Sequence, residues 1–468
     1  MKRLYLILLI SLFANNTKAG DSTKTLALGE FLQVVKKYHP LSQQASLTVD
    51  KANANLTNAR GGFNPLLSSA VNEKTFDAVN YYKSSNVQIN IPTWYGIELQ
   101  TGIEYLEGSR TDPQQTAGRT GFVGVSVPLL KNLLIDKRRA TLQQAKIMVG
   151  ASAYEKQKML NDLLMEATDT YWQWVQCHLV YKNYANIIEL NNKRVNMVTK
   201  AYQLGDRPAI DTIEAITQLQ QFEWQQNEAL LRLQNATVML STFLWKENNQ
   251  PYELPAGIVP DIKIASLFNA VIFPDIETAI ADAKRNHPDL ITYSYKLSSL
   301  QIEKKLKSQE LLPSFNLKYN QLGKGYNIAS IAAKTNFDNN YRFGLSLSMP
   351  LLFSQGRGEL KMAKIKLTET KLQQQQKEIE ITGKIKSYYN ELVNYKTQVT
   401  LLQKNYDSYL RLQQAEETRF LNGEGSLFLV NSRENKTQEA FLKLTETLIK
   451  YNKTSYALTW ASGELWKL

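Results

Sequence analysis

The chain has 468 residues and a formal net charge of +12, from 55 Lys and Arg against 43 Asp and Glu. A single cysteine excludes a disulfide-stapled fold and a cysteine-based zinc site, and three scattered histidines leave little for a histidine-rich metal centre. The basic residues alternate with acidic ones without forming a dense cationic block. This pattern is typical of a solvated helix surface and disfavours nucleic-acid binding.

The first 19 residues are typical of a secretory signal peptide. Lys2 and Arg3 precede an apolar run from Leu4 to Phe13, and Ala19 ends the segment. That run is too short to anchor a helix in a bilayer, and no later segment has about 18 consecutive apolar residues. We therefore expect an exported protein that is soluble, or one held in an outer membrane by strands that hydropathy does not reveal.

Four landmarks occur twice in the same order, and they divide the mature chain into two halves, residues 25–246 and 274–465. The pairs are His39-Pro40 with His287-Pro288, Pro65 with Pro313, Pro128-Leu129-Leu130 with Pro350-Leu351-Leu352, and the segments from Tyr202 to Gly205 and from Phe420 to Gly423. The ordered set predicts two tandem copies of one structural unit.

Each half is predicted to contain the same elements in the same order. A short helix comes first, in residues 20–64 and 275–312, and a strand zone with period-2 alternation follows, in residues 65–128 and 313–352. A long helix and a return helix complete each half. These helical hairpins occupy residues 129–246 and 353–468, the second with a C-terminal equatorial segment, and residues 247–274 form an equatorial linker.

The first strand zone is longer than the second. The excess contains Trp94, Tyr95 and Tyr105, so we expect an added or lengthened hairpin there. About four main strands are expected in each chain.

The long helices carry a seven-residue repeat. Its positions read Leu160, Ala167, Trp174, Tyr181, Ile188, Val195 and Tyr202 in the first half, and Leu392, Val399, Tyr406, Gln413 and Phe420 in the second. A sustained seven-residue repeat predicts left-handed coiled-coil packing. Each long helix exceeds its return helix in length, so a return helix and a short helix placed end to end are expected to match it.

A single chain cannot cover the apolar surfaces of these helices or close a barrel from these strands. Two such hairpins leave aromatic-rich seams uncovered, and about four strands cannot close a barrel, which needs about eight. Oligomerisation meets both needs at once.

No catalytic motif occurs in the sequence: phosphate loops, HExxH and GxSxG are absent. Cys177 and His178 are adjacent but have no matching acid or oxyanion motif, which favours a packed thiol over a nucleophile. His39 and His287 precede proline in matching elements, which favours a role at the start of a helix over metal binding. The sequence therefore predicts no enzyme, no metal site and no cofactor.

The tandem halves, the two His-Pro pairs, the two Pro-Leu-Leu runs and the turns at Gly205 and Gly423 resemble the TolC-type outer-membrane factor family, over nearly all of the mature chain. The resemblance implies a mainly α fold with a membrane β-barrel. Three identical chains would share a 12-strand outer-membrane barrel and a long α-helical coiled-coil barrel with two tandem repeats per chain.

The same resemblance implies a passive exit duct of a tripartite efflux pump or type I secretion system. The duct would lie in the outer membrane of a Gram-negative-type cell, with most of the chain in the periplasm. Its partners would be two further copies of the chain, outer-membrane lipid, a periplasmic adaptor and, through the adaptor, an inner-membrane transporter.

In this family, acidic side chains six and nine residues after the turn glycine help to close the tunnel. Their counterparts in the first half are Asp211 and Glu214, whereas the second half has Leu429 and Ser432 and so departs from the pattern. The helix dipole also favours acids at a helix start, so a purely structural role stays open for Asp211 and Glu214.

Closure is expected to use apolar contacts in the second hairpin and pairing of Asp211 with an arginine, Arg207 or Arg433. The candidate gate comprises Arg207, Asp211, Glu214, Leu427, Phe428, Leu429, Ser432 and Arg433. The turns expected to face the adaptor comprise Leu204, Gly205, Asp206, Asn422, Gly423 and Glu424.

Four aromatic residues of the first strand zone, Tyr81, Tyr82, Trp94 and Tyr95, are candidates for an aromatic girdle at the bilayer interface. A place in extracellular loops is an equal alternative.

Two rival classes of protein stay open. A periplasmic adaptor has a coiled-coil hairpin, but it usually has one hairpin flanked by β-domains, whereas this chain repeats the hairpin. A soluble coiled-coil scaffold has no use for the alternating strands at 85–91 and 341–350.

Overall fold

The computed structural model describes residues 24–109, 116–255, 257–261, 275–333 and 339–468. The predicted signal peptide and residues 262–274 of the predicted linker lie outside these ranges. Within them, no helix is both long enough and apolar enough to cross a lipid bilayer.

The helices of the two halves match in length, element by element. They are α1 (Leu28–Tyr38) and α5 (Ile276–Asn286), 11 residues each; α2 (Pro40–Gly61) and α6 (Pro288–Gln309), 22 each; α3 (Lys137–Gln203) and α8 (Ser354–Leu421), 67 and 68; and α4 (Ala209–Ser241) and α9 (Leu427–Ala461), 33 and 35. At 1.5 Å per residue, each long helix extends about 100 Å. The described helices thus form one structural unit that occurs twice in the chain.

His39 and His287 each cap the helix that begins with the following proline. Nδ1 of His39 accepts a hydrogen bond from the backbone N–H of Leu41 at 3.2 Å, and Nδ1 of His287 accepts one from Asp289 at 3.1 Å. Proline suits the first helical position because its missing N–H would have no partner there. The prediction of a role at the helix start is confirmed.

Each long helix packs antiparallel to its return helix, α3 with α4 and α8 with α9. Helix α6 contacts both α3 and α8, and helix α2 packs mainly on α3.

The main core lies at mid-height, where the short helices meet the hairpins. Tyr171 and Trp174 of α3 are buried there beside Phe31 of α1, and the Tyr171 hydroxyl donates a hydrogen bond to the carbonyl of Leu26 at 2.8 Å. Leu26 belongs to β1 (Thr25–Leu26), which pairs in parallel with β8 (Val259–Pro260); β6 (Trp245–Lys246) pairs with β7 (Gln250–Pro251).

Cys177 lies in the same core and is 8% exposed. Burial raises the pKa of its thiol, although a hydrogen bond from Gln173 opposes the rise. This environment suits the predicted packed thiol, because a reactive cysteine needs a lowered pKa.

In the described ranges, six strands form one antiparallel sheet, in the spatial order β10-β9-β5-β4-β3-β2. Their bounds are β2 (Leu66–Phe76), β3 (Val79–Pro92), β4 (Glu98–Glu107), β5 (Gly118–Pro128), β9 (Ser314–Lys324) and β10 (Tyr341–Ser348). The first half supplies four strands and the second two, which confirms the expected added hairpin.

The expectation of about four main strands was too low. The additional residues of the first strand zone form strands as long as the others in the sheet. A short helix, α7 (Ile328–Ala333), follows β9.

The strand register gives the sheet an apolar face and a polar face, because residues that pair across strands project to the same side. The apolar face includes Leu67, Val71, Val87, Ile89, Ile91, Leu99, Ile103, Val123, Val125, Val127, Leu317, Phe343, Leu345 and Leu347. The polar face includes Asn86, Gln88, Asn90, Gln100, Glu104, Ser126, Lys318, Asn320, Arg342 and Ser346.

The sheet curls with its polar face inside. Asn320 on the polar face is 1% exposed, whereas Leu347 on the apolar face is 67% exposed. Across the enclosed face, Arg342 donates hydrogen bonds to both carboxylate oxygens of Glu104, at 3.1 and 2.8 Å. The apolar side chains therefore point outward, the reverse of an ordinary soluble sheet.

Candidate functional site at the helical hairpin tips

Both hairpins turn through a glycine in the left-handed backbone region. Gly205 has φ +81° and Gly423 has φ +82°, a conformation that favours glycine over any other residue. The N–H groups of Asp206 and Glu424 bond back to the carbonyls of Ala201 and Arg419, both at 2.9 Å. These bonds satisfy carbonyls at the helix ends, so each glycine serves as the helix C-terminal stop that its position predicted.

Arg207 ties the first turn to the second. Its Nη2 donates a hydrogen bond to the carbonyl of Phe420 at 2.8 Å, and its Nη1 donates one to the carbonyl of Gly425 at 3.5 Å. The guanidinium carbon also lies 4.2 Å from the centre of the Phe420 ring. One side chain of the first hairpin thus holds both backbone and ring of the second.

Asp211 holds Arg207 in place. Their side chains form an ion pair, with Nη1 of Arg207 3.7 Å from Oδ2 of Asp211, and both are largely buried. Of the two expected partners, the structure therefore brings Arg207 to Asp211. Arg433 is half-buried and makes no ion pair with any described residue.

Glu214 also faces the second hairpin. Its Oε1 accepts a hydrogen bond from Nδ2 of Asn431 at 3.3 Å. Ser432, the neighbour of Asn431, is exposed. The two acids of the first hairpin thus serve contacts within the chain.

The apolar residues after the second turn do not share one environment. Leu427 is 1% exposed and packs with Val198, Ala215, Phe420 and Val430 in a small core between the hairpins. The next two residues of α9, Phe428 and Leu429, are 67% and 38% exposed. Of the three, Phe428 and Leu429 are therefore the ones with surface free to meet another chain.

The six predicted turn residues are all exposed: Leu204, Gly205, Asp206, Asn422, Gly423 and Glu424. Leu204 is the most prominent apolar one, with 78% of its surface exposed. The two turns lie side by side because Arg207 joins them, so they present one continuous surface.

A buried charge cluster lies behind the tips, and sequence reasoning missed it. Arg194 of α3 is 5% exposed and donates to Glu434 of α9 from Nη1 at 2.8 Å and from Nη2 at 3.2 Å. Nη2 also donates to Glu417 of α8 at 3.0 Å, and Asn191 donates to Glu434 at 3.1 Å. Burial opposes the charge on Arg194, but the bonds and charges of Glu434 and Glu417 outweigh burial and raise its pKa.

Further polar contacts extend this cluster along α9. Gln218 of α4 donates to Asn435 at 2.9 Å, and Asn183 of α3 donates to Gln438. The residues of α9 that take part in all of these contacts recur at helical spacing on one face: Asn431, Glu434, Asn435 and Gln438. We call this row and its partners on α3 and α4 the polar clamp.

One feature of the sequence is related to the polar clamp. Four polar residues at helical spacing suggest a solvated helix face, and only the fold reveals that this face is buried against the first hairpin. Among the described residues, no group of three or more His, Cys, Asp or Glu side chains is placed to hold a metal ion.

Comparisons with known proteins identify the second half of the chain by sequence. Residues 279–461 match the family model of the outer membrane efflux protein. The chain carries an outer membrane efflux protein domain. The matched range runs from α5 to the end of α9 and so includes the second hairpin tip and the α9 row of the polar clamp. Comparison with curated proteins gives no match.

Solved structures resemble nearly the whole chain in fold. The CmeC outer membrane channel of Campylobacter jejuni is 15% identical, with a TM-score of 0.67 over 94% of this chain and 86% of that one. The VceC outer membrane protein of Vibrio cholerae is 12% identical, with a TM-score of 0.68 over 93% of this chain and 96% of that one. The open MtrE outer membrane channel of Neisseria gonorrhoeae is 12% identical, with a TM-score of 0.65 over 94% of this chain and 89% of that one.

These matches confirm the predicted fold class of long helices and a barrel-forming sheet in tandem repeats. The family model that residues 279–461 match describes an outer membrane efflux protein, which agrees with the prediction that the chain is not an enzyme.

The aromatic residues of the strand zone lie at the two ends of β3. Tyr81 and Tyr82 are next to the β2–β3 turn, and Trp94 and Tyr95 are in the β3–β4 turn. The Trp94 ring stacks on Phe63, with centres 4.6 Å apart, and so abuts the end of α2, whereas Tyr95 is 81% exposed. The separation of the two pairs along the strand is about 40 Å, enough for a tilted strand to cross a bilayer core of about 30 Å.

Proposed function

We propose that the protein is the passive outer-membrane exit duct of a tripartite efflux pump or type I secretion system. Three copies form a continuous tube, with the sheet in the outer membrane of a Gram-negative-type cell and the helices in the periplasm. The observation that carries the proposal is the pair of long hairpins, whose tips meet at one end of the chain while the outward-apolar sheet lies at the other.

Two unpartnered helix faces support assembly with further copies. On α4, Ile210, Trp224, Leu231 and Val238 are spaced by multiples of seven and are more than half exposed. On α8, Ile365, Leu372 and Ile379 form a second such row. Rows of this kind are coiled-coil seams, so the α4 row of one copy is expected to pack on the α8 row of the next.

The sheet supports a place in the membrane. Its outward apolar face suits lipid, and its enclosed polar face suits a water-filled lumen. The aromatic pairs at either end of β3 then lie at the two interfaces of the bilayer, as an aromatic girdle requires.

The hairpin tips form the gate in this proposal. Arg207 and the polar clamp hold the second hairpin against the first and keep the tips together. Exposed Phe428 and Leu429 extend toward the axis, where the same residues of other copies complete the closure by apolar contact. Opening then requires that the second hairpin leave the contacts made by Arg207 and Arg194.

An adaptor is the proposed agent of opening. The joined turns offer exposed Leu204 between the backbone of Gly205 and Gly423, a surface that a helical tip of a periplasmic adaptor can cover. Energy comes from the inner-membrane transporter that binds the adaptor, because the proposed duct is passive.

Electron microscopy of particles extracted from the outer membrane with detergent tests the proposal. A hollow tube with three-fold symmetry and a length of more than about 100 Å is expected from the helix lengths. A thin, solid particle that stays soluble without detergent would overturn the duct and favour the adaptor or scaffold.

A further inference from the structure

The β2–β3 hairpin has no counterpart among the described residues of the second half. It is nevertheless fully integrated into the sheet: β3 pairs with β4 from Lys83 opposite Glu107 to Pro92 opposite Glu98. Strand β2 in turn pairs with β3 along its whole length, with one irregularity at Lys74. The hairpin is therefore a continuation of the sheet and not an appendage that folds away from it.

The β2–β3 hairpin also has one apolar face and one polar face, like the rest of the sheet. Leu67 and Val71 of β2 lie on the apolar face and are 66% exposed, and Val87 and Ile89 of β3 lie beside them. A hairpin that packed on protein would need its buried face apolar, whereas the opposite face here carries Asn86, Gln88 and Asn90.

The buried oxygens on this polar face suit water more than protein. Oδ1 of Asn86 and of Asn90 have no hydrogen-bond partner in the described part of the chain. Buried polar atoms in native structures are normally satisfied by protein or by water. A wall with lipid on one side and water on the other satisfies both faces of the hairpin.

The two edges of the sheet are complementary. Within the described chain, β2 pairs on one side with β3 and β10 pairs on one side with β9, so each leaves its outer edge open. Strand β2 runs away from the helices and β10 runs toward them. Pairing of β10 in one copy with β2 in the next therefore continues the antiparallel order and joins apolar face to apolar face.

We propose that β10 of each copy pairs with β2 of the next, so that three copies of the six-stranded sheet close a barrel of 18 strands. This inference rests on the trimer proposed above and replaces the 12 strands that the family resemblance implies. Barrel diameter grows about linearly with strand number, so the outlet is about 1.5 times as wide as a 12-strand barrel of the same tilt.

Disulfide cross-linking between copies tests which edge pairs with β10. In a Cys177→Ala background, Leu345→Cys of β10 is combined with Leu67→Cys, Ser69→Cys or Val71→Cys of β2, which scan the unknown register on one face. The matched set combines Leu345→Cys with Leu99→Cys, Thr101→Cys or Ile103→Cys of β4. Cross-linked trimers are expected from a β2 position and from no β4 position.

Cross-links through β4 would overturn the inference. If the β2–β3 hairpin is not part of the barrel, β4 becomes the edge strand of the sheet and pairs with β10 of the next copy. Electron cryomicroscopy of the same trimers counts the strands directly and does not depend on the cysteines. A trimer with 12 strands contradicts the 18-strand barrel alone. A particle that is not a trimer contradicts the proposed duct as well.

Discussion

Arg194 and Glu434, which are 240 residues apart in the chain, form a buried two-bond ion pair between the first and second hairpins, at 2.8 and 3.2 Å. Both side chains are at most 5% exposed. Removal of one partner from such a pair leaves an uncompensated charge in the interior, which costs about 3–5 kcal/mol. This contact is therefore the part of the polar clamp most sensitive to a single change.

Glu434→Gln is expected to loosen the closed tips, because the amide keeps the shape of Glu434 but loses its charge. The expected result is a large increase in open time in planar bilayers and in leak of large antibiotics across the outer membrane. Glu439→Gln is the matched control, since Glu439 pairs with Lys436 on the exposed side of the same helix. Equal effects of the two variants would contradict the clamp.

Arg207→Lys is expected to raise leak in part, and Arg207→Met is expected to raise it further. Lysine keeps the charge opposite Asp211, but it cannot bond both Phe420 and Gly425 while lying flat on the Phe420 ring. Single-channel recording measures the effect. Arg232→Lys changes an exposed ion pair on α4, the helix that follows Arg207, and should leave conductance unaltered. If Arg207→Lys also leaves conductance unaltered, the contacts of its guanidinium do not close the gate.

Gly423→Ala and Gly383→Ala are expected to have opposite effects on stability. Gly423 adopts φ +82°, so alanine there costs about 1–2 kcal/mol. Gly383 lies inside α8 with open space around it, so alanine there stabilises the helix by about 1 kcal/mol. Thermal unfolding in detergent separates the two, and a stabilised Gly423→Ala would show that the turn does not need its left-handed backbone.

Acid is expected to destabilise the fold through His39 and His287. Burial lowers the pKa of both, although the charges of Asp289 and Asp162 oppose the effect at His287. Each histidine therefore contributes stability that is present above about pH 6.5, its unfolded value, and is lost as pH falls through the lower folded pKa. Protonation also removes the Nδ1 lone pair that caps the helix.

The double variant His39→Asn with His287→Asn checks this expectation, because asparagine caps a helix without titrating. Its melting temperature should fall less than that of the unmodified protein between pH 7 and pH 5. A smaller acid effect is expected to persist, since burial lowers the pKa of His178 on α3 as well. An unchanged acid dependence would mean that the two caps are not responsible.

Local patterns were sufficient to predict most of the fold. The repeat of His-Pro pairs, the seven-residue apolar spacing and the turn glycines each depend on neighbours in the chain. The structure places the His-Pro pairs and the turn glycines as expected and buries much of the seven-residue row, although Tyr202 is 48% exposed. The count of strands was harder, because alternation in residues 66–92 is diluted by polar residues such as Ser68, Ser69 and Asn72 that still lie in strands.

The gate residues were predicted less completely. Asp211 and Arg207 are four residues apart across the start of α4, so their pairing needs only local proximity. The partners of Arg207 on the second hairpin, and the pairing of Arg194 with Glu434, join segments more than 200 residues apart. Leu427 and Phe428 are adjacent in sequence, and only the packing of α9 on the first hairpin decides which one is buried.

The contact between Arg207 and the second turn lies wholly within one chain, and its counterpart in the second repeat is Gly425, which has no side chain to return it. The periplasmic end of a trimer therefore has six hairpin tips but three contacts of this kind, and each forms within its own chain. Loss of one contact leaves the other two intact. Opening is then expected to proceed in steps, with intermediate conductance levels between the shut and the fully open tube.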